Sequence, residues 1–199
     1  TNEYCHVSNR SPARSLECVR EDRGLRLYWR ELDLPGDPGV MDVVVDIRLE
    51  DSGASDWTIA IHNRSKIWAQ HTVDYPIIRK IMPEGSGTAL LPWKNLGGRL
   101  FHAYDSRKQD RRGSFCSPGA YLPMAAFMRD GAGLYFAARD GGSRIKKWYV
   151  RTGPDVCFST ILDNAGCVGK AADSPNYAVT IAPFCGNWWE AAHIYRAWA

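Results

Sequence analysis

Residues 40–50 read Val-Met-Asp-Val-Val-Val-Asp-Ile-Arg-Leu-Glu, and their order decides the fold class. Met41, Val43, Val45, Ile47 and Leu49 are apolar while Asp42, Asp46, Arg48 and Glu50 are polar, the period-two signature of a half-buried strand. The same alternation recurs at Leu25, Leu27 and Trp29 and at Trp57, Ile59 and Ile61. His62-Asn63-Arg64-Ser65 separates Trp57–Ile61 from a candidate strand over Lys66–Val73. Its Asn and Ser can supply turn geometry, so the two strands are expected as a hairpin.

Further strands are expected over Ile77–Met82, Arg99–Tyr104, Tyr121–Met128, Gly133–Arg139, Arg144–Val150, Val156–Leu162 and Tyr177–Pro183, divided by Gly, Pro, Asp or Ser. Asp140-Gly141-Gly142-Ser143 reads as a second hairpin turn, because glycine reaches positive φ without steric cost. So many strands imply two packed sheets, since a single open sheet leaves one apolar face wet. The expected class is all-β: a large two-sheet antiparallel β-sandwich over 1–186, followed by a helix from Asn187. The polar run from Asp105 to Arg112 is expected as an exposed loop.

Asn187 suits an N-cap, and Glu190 at the third helical position can return the hydrogen bond. Trp188, Ala192, Tyr195 and Ala199 then share one face. The pattern is still running at Ala199 with no Gly, Asn or Pro stop signal, so 187–199 is expected to be the start of a longer helix.

The chain has 199 residues, enough to bury about two-thirds of its unfolded surface in a core of its own. With 45% hydrophobic and 24% charged residues it lies in the range of folded globular proteins. The net charge of +3 is scattered, leaving no electrostatic footprint for a nucleic-acid backbone. Apolar runs are only a few residues long, far short of the roughly 20 needed to span a bilayer, so neither nucleic acid nor membrane is an expected partner. Six cysteines stand outside any Cys-x-x-Cys pair, which leaves a zinc site without support. One or two disulfides and all-free buried thiols both stay open, with Cys5 and Cys18 the easiest pair to imagine.

No Gly-x-Ser-x-Gly, His-Glu-x-x-His or glycine-rich phosphate loop is present, and the five histidines are dispersed, so no metal, cofactor or catalytic residue is assigned. Carboxylate pairs for glycoside hydrolysis meet only in the fold and leave no spacing signal. The eight tryptophans are the main chemical feature. Flat rings stack on the C–H faces of sugars, yet Trp also fills β-sandwich cores, as the strand phase suggests for Trp29 and Trp57. Trp93, in a Pro/Gly-rich loop, and Trp68, out of phase with Ile67 and Ala69, are the better candidates for an exposed platform. With His71 and Asp140 they form the candidate carbohydrate-binding set.

Three stretches carry a family resemblance. They are Tyr121-Leu-Pro-Met-Ala-Ala-Phe127 leading to Gly133-Leu-Tyr-Phe-Ala-Ala-Arg-Asp140, then Pro175-Asn-Tyr177, and finally Ala182-Pro-Phe-Cys-Gly-Asn-Trp-Trp-Glu-Ala-Ala-His-Ile-Tyr-Arg-Ala-Trp-Ala199. Over about 70–199 the chain resembles the N-terminal region of large glycoside-hydrolase-like proteins, in which a galactose-mutarotase-like β-supersandwich precedes a (β/α)8 barrel. The junction resembles the pattern Pro-Phe-x-Gly-Asp-Trp-Trp-x-Ala-Ala-x-Ile-Tyr-Arg-x-Trp, with Asn187 standing where Asp is usual and keeping N-cap chemistry.

The resemblance implies a non-catalytic accessory domain that packs on its own C-terminal catalytic barrel and shapes a carbohydrate cleft. Asn187, Trp188, Trp189, Tyr195 and Trp198 would then lie at the domain interface. A free-standing sugar-binding module or lectin is the first alternative. An aldose-epimerase-like enzyme, needing a His and a carboxylate on one sugar ring, is the second.

Overall fold

The computed structural model describes residues 4–79, 87–91, 99–102, 111–115, 122–142, 146–151, 155–161, 168, 175 and 177–199. Among them it is mostly β, with one helix at the C-terminal end, as the alternation predicts. The chain divides into two compact units.

The first unit holds β1 (Ala13–Glu21), β2 (Gly24–Leu34), most of β3 (Asp37–Leu49) and, of β4 (Ser55–Asn63), the residues from Thr58 onward. The strand order is β1-β2-β3-β4. β1 and β2 form a hairpin closed by Glu21 opposite Gly24, and β2 runs antiparallel to β3 with Leu25 opposite Ile47, Leu27 opposite Val45 and Trp29 opposite Val43. These apolar residues therefore share one face, since directly opposed residues point the same way. Met41 is buried, Val43 to Ile47 are half-buried and Leu49 is exposed, so burial fades along the strand. Trp29 and Trp57 are half-buried, short of the core placement their phase suggests.

The opposite face is charged, with Arg26 paired to Asp46 and Glu21, and Arg30 to Glu17 and over the Tyr28 ring. Glu31 interrupts the β2 ladder at φ +54, where the register to β3 shifts. Its N–H donates to Asp42, and its carboxylate pairs with Arg14.

The second unit contains two sheets. One runs from Ser55–Trp57 of β4 through β13 (Ala178–Cys185), β10 (Ala132–Arg139), β9 (Met124–Arg129) and β6 (Thr88–Leu91) to β7 (Arg99–His102). The other has the order β5 (Thr72–Ile78), β12 (Asp155–Ile161), β11 (Lys146–Arg151), β8 (Arg111–Phe115). β9 and β10 are joined by Asp130-Gly131, both at positive φ (50° and 78°), the two-residue turn whose twist suits a hairpin.

Alternating residues of β9, β10 and β13 fill the two faces of the first of these sheets. Met124, Ala126, Met128, Tyr135, Ala137, Ala182 and Phe184 form one cluster, and α1 (Trp188–Trp198) packs on it through Ala191, Ile194 and Tyr195. Phe127 and Phe136 are wholly buried and meet edge to face at 5.8 Å.

Several expectations are corrected. Lys66–Val73 is not a strand paired with Trp57–Ile61. Ser65 Oγ takes the N–H groups of Ile67 and Trp68, and Asn63 Oδ1 takes that of Ser65, so side chains satisfy the donors that a ladder would use. The next strand, β5, begins at Thr72 and pairs with β12.

Asp140-Gly141-Gly142 likewise closes no hairpin, because β10 pairs with β9 and β13 while β11 lies in the other sheet. Arg111 and Arg112 belong to β8, not to an exposed loop, and Asp105–Asp110 lie outside the described residues. Cys5 and Cys18 are free thiols, as is Cys185.

Candidate functional site

The candidate residues fall in separate places. Trp68 is half-buried in the first unit and held at three points: its N–H donates to Ser65 Oγ at 2.9 Å, its indole N–H to the Pro35 carbonyl at 2.8 Å, and its carbonyl accepts from Asn63 Nδ2 at 3.0 Å. Ser65 is oriented in turn by donating to Asp37 at 2.6 Å. The indole is thus pre-set with few rotamers left to lose. His71, also in the first unit, is exposed, with Nδ1 2.9 Å from Thr72 Oγ1 and its ring edge-on to Tyr4. Trp93 lies outside the described residues.

Asp140 belongs to the second unit and is buried. One carboxylate oxygen accepts the Gly142 N–H at 2.8 Å, fixing the turn after β10. Burial raises the Tyr75 hydroxyl pKa above its ordinary range, and neighbouring Tyr177 and Asp140 add to the shift. Tyr75 therefore stays protonated and donates to the Tyr177 carbonyl at 2.9 Å.

On α1, Asn187 is the N-cap and its Oδ1 accepts the Trp189 N–H at 2.8 Å. The Glu190 stem lies over Gly186, where an added Cβ would meet its Cγ at 2.7 Å. The helix packs inward through Tyr195 of the expected face, but Ala191 and Ile194 accompany it in place of Trp188. Ala191 is fully buried, Ile194 and Tyr195 pack on the sheet cluster, and Trp188 is 42% and Trp189 53% exposed. Trp188 meets Trp189 edge to face at 5.4 Å, Trp189 approaches His193 at 5.0 Å, and Tyr195 meets Trp198, which is half-buried, at 5.7 Å.

The second unit also carries a polar cluster with no spacing signal in the sequence. Thr180 Oγ1, fully buried, donates to Asp56 at 2.5 Å. Arg139 lies 3.5 Å from Asp56 and 3.6 Å from Glu50, and its Nε is buried without a hydrogen-bond partner. In the first unit Pro12, Arg14, Glu31, Asp33, Pro38 and Gly39 line an open cleft of about 400 Å³. Among the described residues no three His, Cys, Asp or Glu side chains are grouped to hold a metal, and no helix is long and apolar enough to cross a membrane.

The sequence matches no model of a known protein family and no curated protein. The structure does have counterparts. It is similar to the ligand-free α-N-acetylgalactosaminidase NagBb from Bifidobacterium bifidum, with a TM-score of 0.63 and 14% identity over 92% of this chain and 29% of that one. The GalNAc complex of the same enzyme gives a TM-score of 0.60 at 14% identity, over 92% of this chain and 30% of that chain.

The likeness is one of fold. This chain spans less than a third of the glycosidase chains it matches.

Proposed function

We propose that this chain is a non-catalytic accessory β domain of a glycoside hydrolase, a supersandwich of the galactose-mutarotase kind that packs on a catalytic barrel and shapes its carbohydrate cleft. One observation carries the reading: nearly the whole of this chain has the fold of a minor part of a glycosidase chain, 92% against 29%. In this reading Asn187 and Tyr195 set α1 on the sheet, while Trp188, Trp189 and Trp198 meet the barrel. Trp68, His71, Trp93 and Asp140 are each kept as candidates for contact with carbohydrate, with Trp68 the strongest because its indole is already fixed. The chain itself supplies no catalytic carboxylate pair, and no cofactor enters.

The test is direct. The purified 199-residue chain should turn over no aryl glycoside, N-acetylgalactosaminides included. Its affinity for oligosaccharides by calorimetry should be millimolar, about −4 kcal/mol, because one wall of a cleft offers few contacts. Turnover abolished by mutating one of its own Asp or Glu residues would overturn the proposal, and micromolar sugar affinity would replace it with a free-standing binding module.

A further inference from the structure

We propose, resting on the carbohydrate reading above, that the open cleft of the first unit lined by Arg14, Glu31, Asp33 and Gly39 takes a neutral sugar ring through two adjacent hydroxyls. Glu31 sets this cleft apart from the rest of the surface. A glutamate at φ +54 is rare, and such a residue persists only where its surroundings over-determine it. Here they do so twice. The Glu31 N–H donates to Asp42 at 2.8 Å, and Asp42 is gripped by Arg64, whose Nη2 also donates to the Gly39 carbonyl at 3.1 Å. Gly39, at φ +68, gives its own N–H to Asp33 Oδ1 at 2.8 Å, and the Asp33 N–H reaches the Pro12 carbonyl at 3.3 Å. Burial does not explain the strained conformation, since the Glu31 side chain is 44% exposed and its partner Arg14 76%.

What the strained backbone does is bring the carboxylate over Gly39, where an added Cβ would lie 3.9 Å from Oε2, and beside Arg14 Nη1 at 2.9 Å. A charged acceptor and a charged donor thus stand side by side at the cleft. A hydroxyl both donates and accepts, so two neighbouring hydroxyls can give a hydrogen to Glu31 or Asp33 and take one from Arg14, and charged partners make the stronger bonds. An anion would meet two carboxylates for one guanidinium, and a cation would meet Arg14. Pro12 and Pro38 add apolar wall, and the volume of about 400 Å³ is within the range of small-molecule sites. The β2–β3 turn that carries Pro38 and Gly39 is braced from its other end, by the Trp68 indole on the Pro35 carbonyl and by Ser65 on Asp37. Little of the site is therefore left to be ordered by its ligand.

The experiment is an NMR titration of the 199-residue chain with methyl galactoside and with N-acetylgalactosamine, and with glucuronate as the anionic control. The expected result is a set of amide shifts at Glu31, Asp33 and Gly39 that saturate in the millimolar range, with glucuronate weaker by about threefold or more. Glu31→Gln and Asp33→Asn keep shape and a carbonyl acceptor but lose the charge, and each should weaken the neutral sugar by about fivefold. Glu31→Gly separates site from scaffold: glycine adopts positive φ freely, so the melting temperature should hold while binding falls by about tenfold or more. A clear fall in melting temperature for Glu31→Gly, unchanged binding by Glu31→Gln, or glucuronate bound as well as the neutral sugars would overturn the proposal. Sugar-induced shifts elsewhere in the chain with none in the cleft would overturn this site and leave the carbohydrate reading standing. No shifts anywhere would remove the site and carbohydrate contact together, while the accessory-domain reading would still be decided by the turnover assay.

Discussion

Thr180 and Asp56 face each other across the β13–β4 pairing, and the threonine hydroxyl, closed off from water, donates to the carboxylate at 2.5 Å. A buried donor to a charged acceptor is worth more than an ordinary hydrogen bond, so Thr180→Val should cost about 2 kcal/mol in urea denaturation and Thr180→Ser clearly less. Arg139 shares the same carboxylate but is partly solvent-exposed and reaches it only at 3.5 Å. Arg139→Met should therefore cost under about 1 kcal/mol. A larger loss for Arg139 than for Thr180 would reverse the ranking of the two contacts.

Gly133 is required by packing. A Cβ there would meet Phe184 Cζ at 2.2 Å and the Phe127 carbonyl at 2.6 Å, whereas one at Gly141 would meet nothing within 4 Å. Gly133→Ala should lower stability by about 1–3 kcal/mol through overpacking, and Gly141→Ala should leave it within about 0.5 kcal/mol. Equal melting temperatures for the two variants would show that Phe184 moves aside freely.

For α1, burial sets the order of sensitivity. Ile194→Ala and Tyr195→Ala should be the costly substitutions, and Asn187→Ala should cost about 1 kcal/mol as a lost N-cap. Trp188→Ala and Trp189→Ala should cost less than either Ile194→Ala or Tyr195→Ala, about 1 kcal/mol or below, since each residue is only about half covered. Thermal unfolding of the five variants decides the matter, and a Trp188→Ala chain destabilised as much as Tyr195→Ala would mean that this ring is covered in solution.

Stability should fall at both ends of the pH scale. Burial raises the Tyr75 and Tyr135 hydroxyl pKa values above the ordinary tyrosine range. As pH rises past 10 the unfolded chain loses protons that the folded chain keeps, and stability falls by up to about 1.4 kcal/mol per pH unit for each group. On the acid side, the hydrogen bond from Arg64 is the main cause holding the Asp42 carboxyl below its ordinary value. Its contribution is therefore present above the ordinary carboxylate range and lost as pH falls through the lowered value. Absorbance titration should show two tyrosines ionising only with unfolding, and Asp42→Asn should flatten the acid limb.

Strands were legible in the sequence wherever one face is buried and the other wet, as in β3, and wherever a long apolar run is bounded by turns, as in β9 and β10. β1 escaped notice because Leu16, Cys18 and Val19 do not alternate, which is how an edge open on both faces reads. The two hairpin errors share a cause: Ser65 and Asp140 close local turns with their own side chains, and a turn made that way does not reveal which strand comes next. The phase of α1 was misjudged because small Ala191, not bulky Trp188, makes the closest approach to the sheet. Arg139, Asp56 and Thr180 meet only through strand pairing between residues more than a hundred positions apart on one side of β13 and about forty on the other, and no periodicity announces such a meeting.

The Gly186 N–H donates to the Gly131 carbonyl at 2.6 Å, tying the start of the helix to the tip of the β9–β10 hairpin. A two-residue hairpin closes in microseconds, whereas β13 must return across nearly forty residues to reach β10 before Gly186 can find its acceptor. The anchor thus exists before the segment that moors to it, and helix docking becomes a late event. Changes at Asp130 or Gly131 should then slow refolding, while changes at Ala191 should leave refolding alone and hasten escape from the native state.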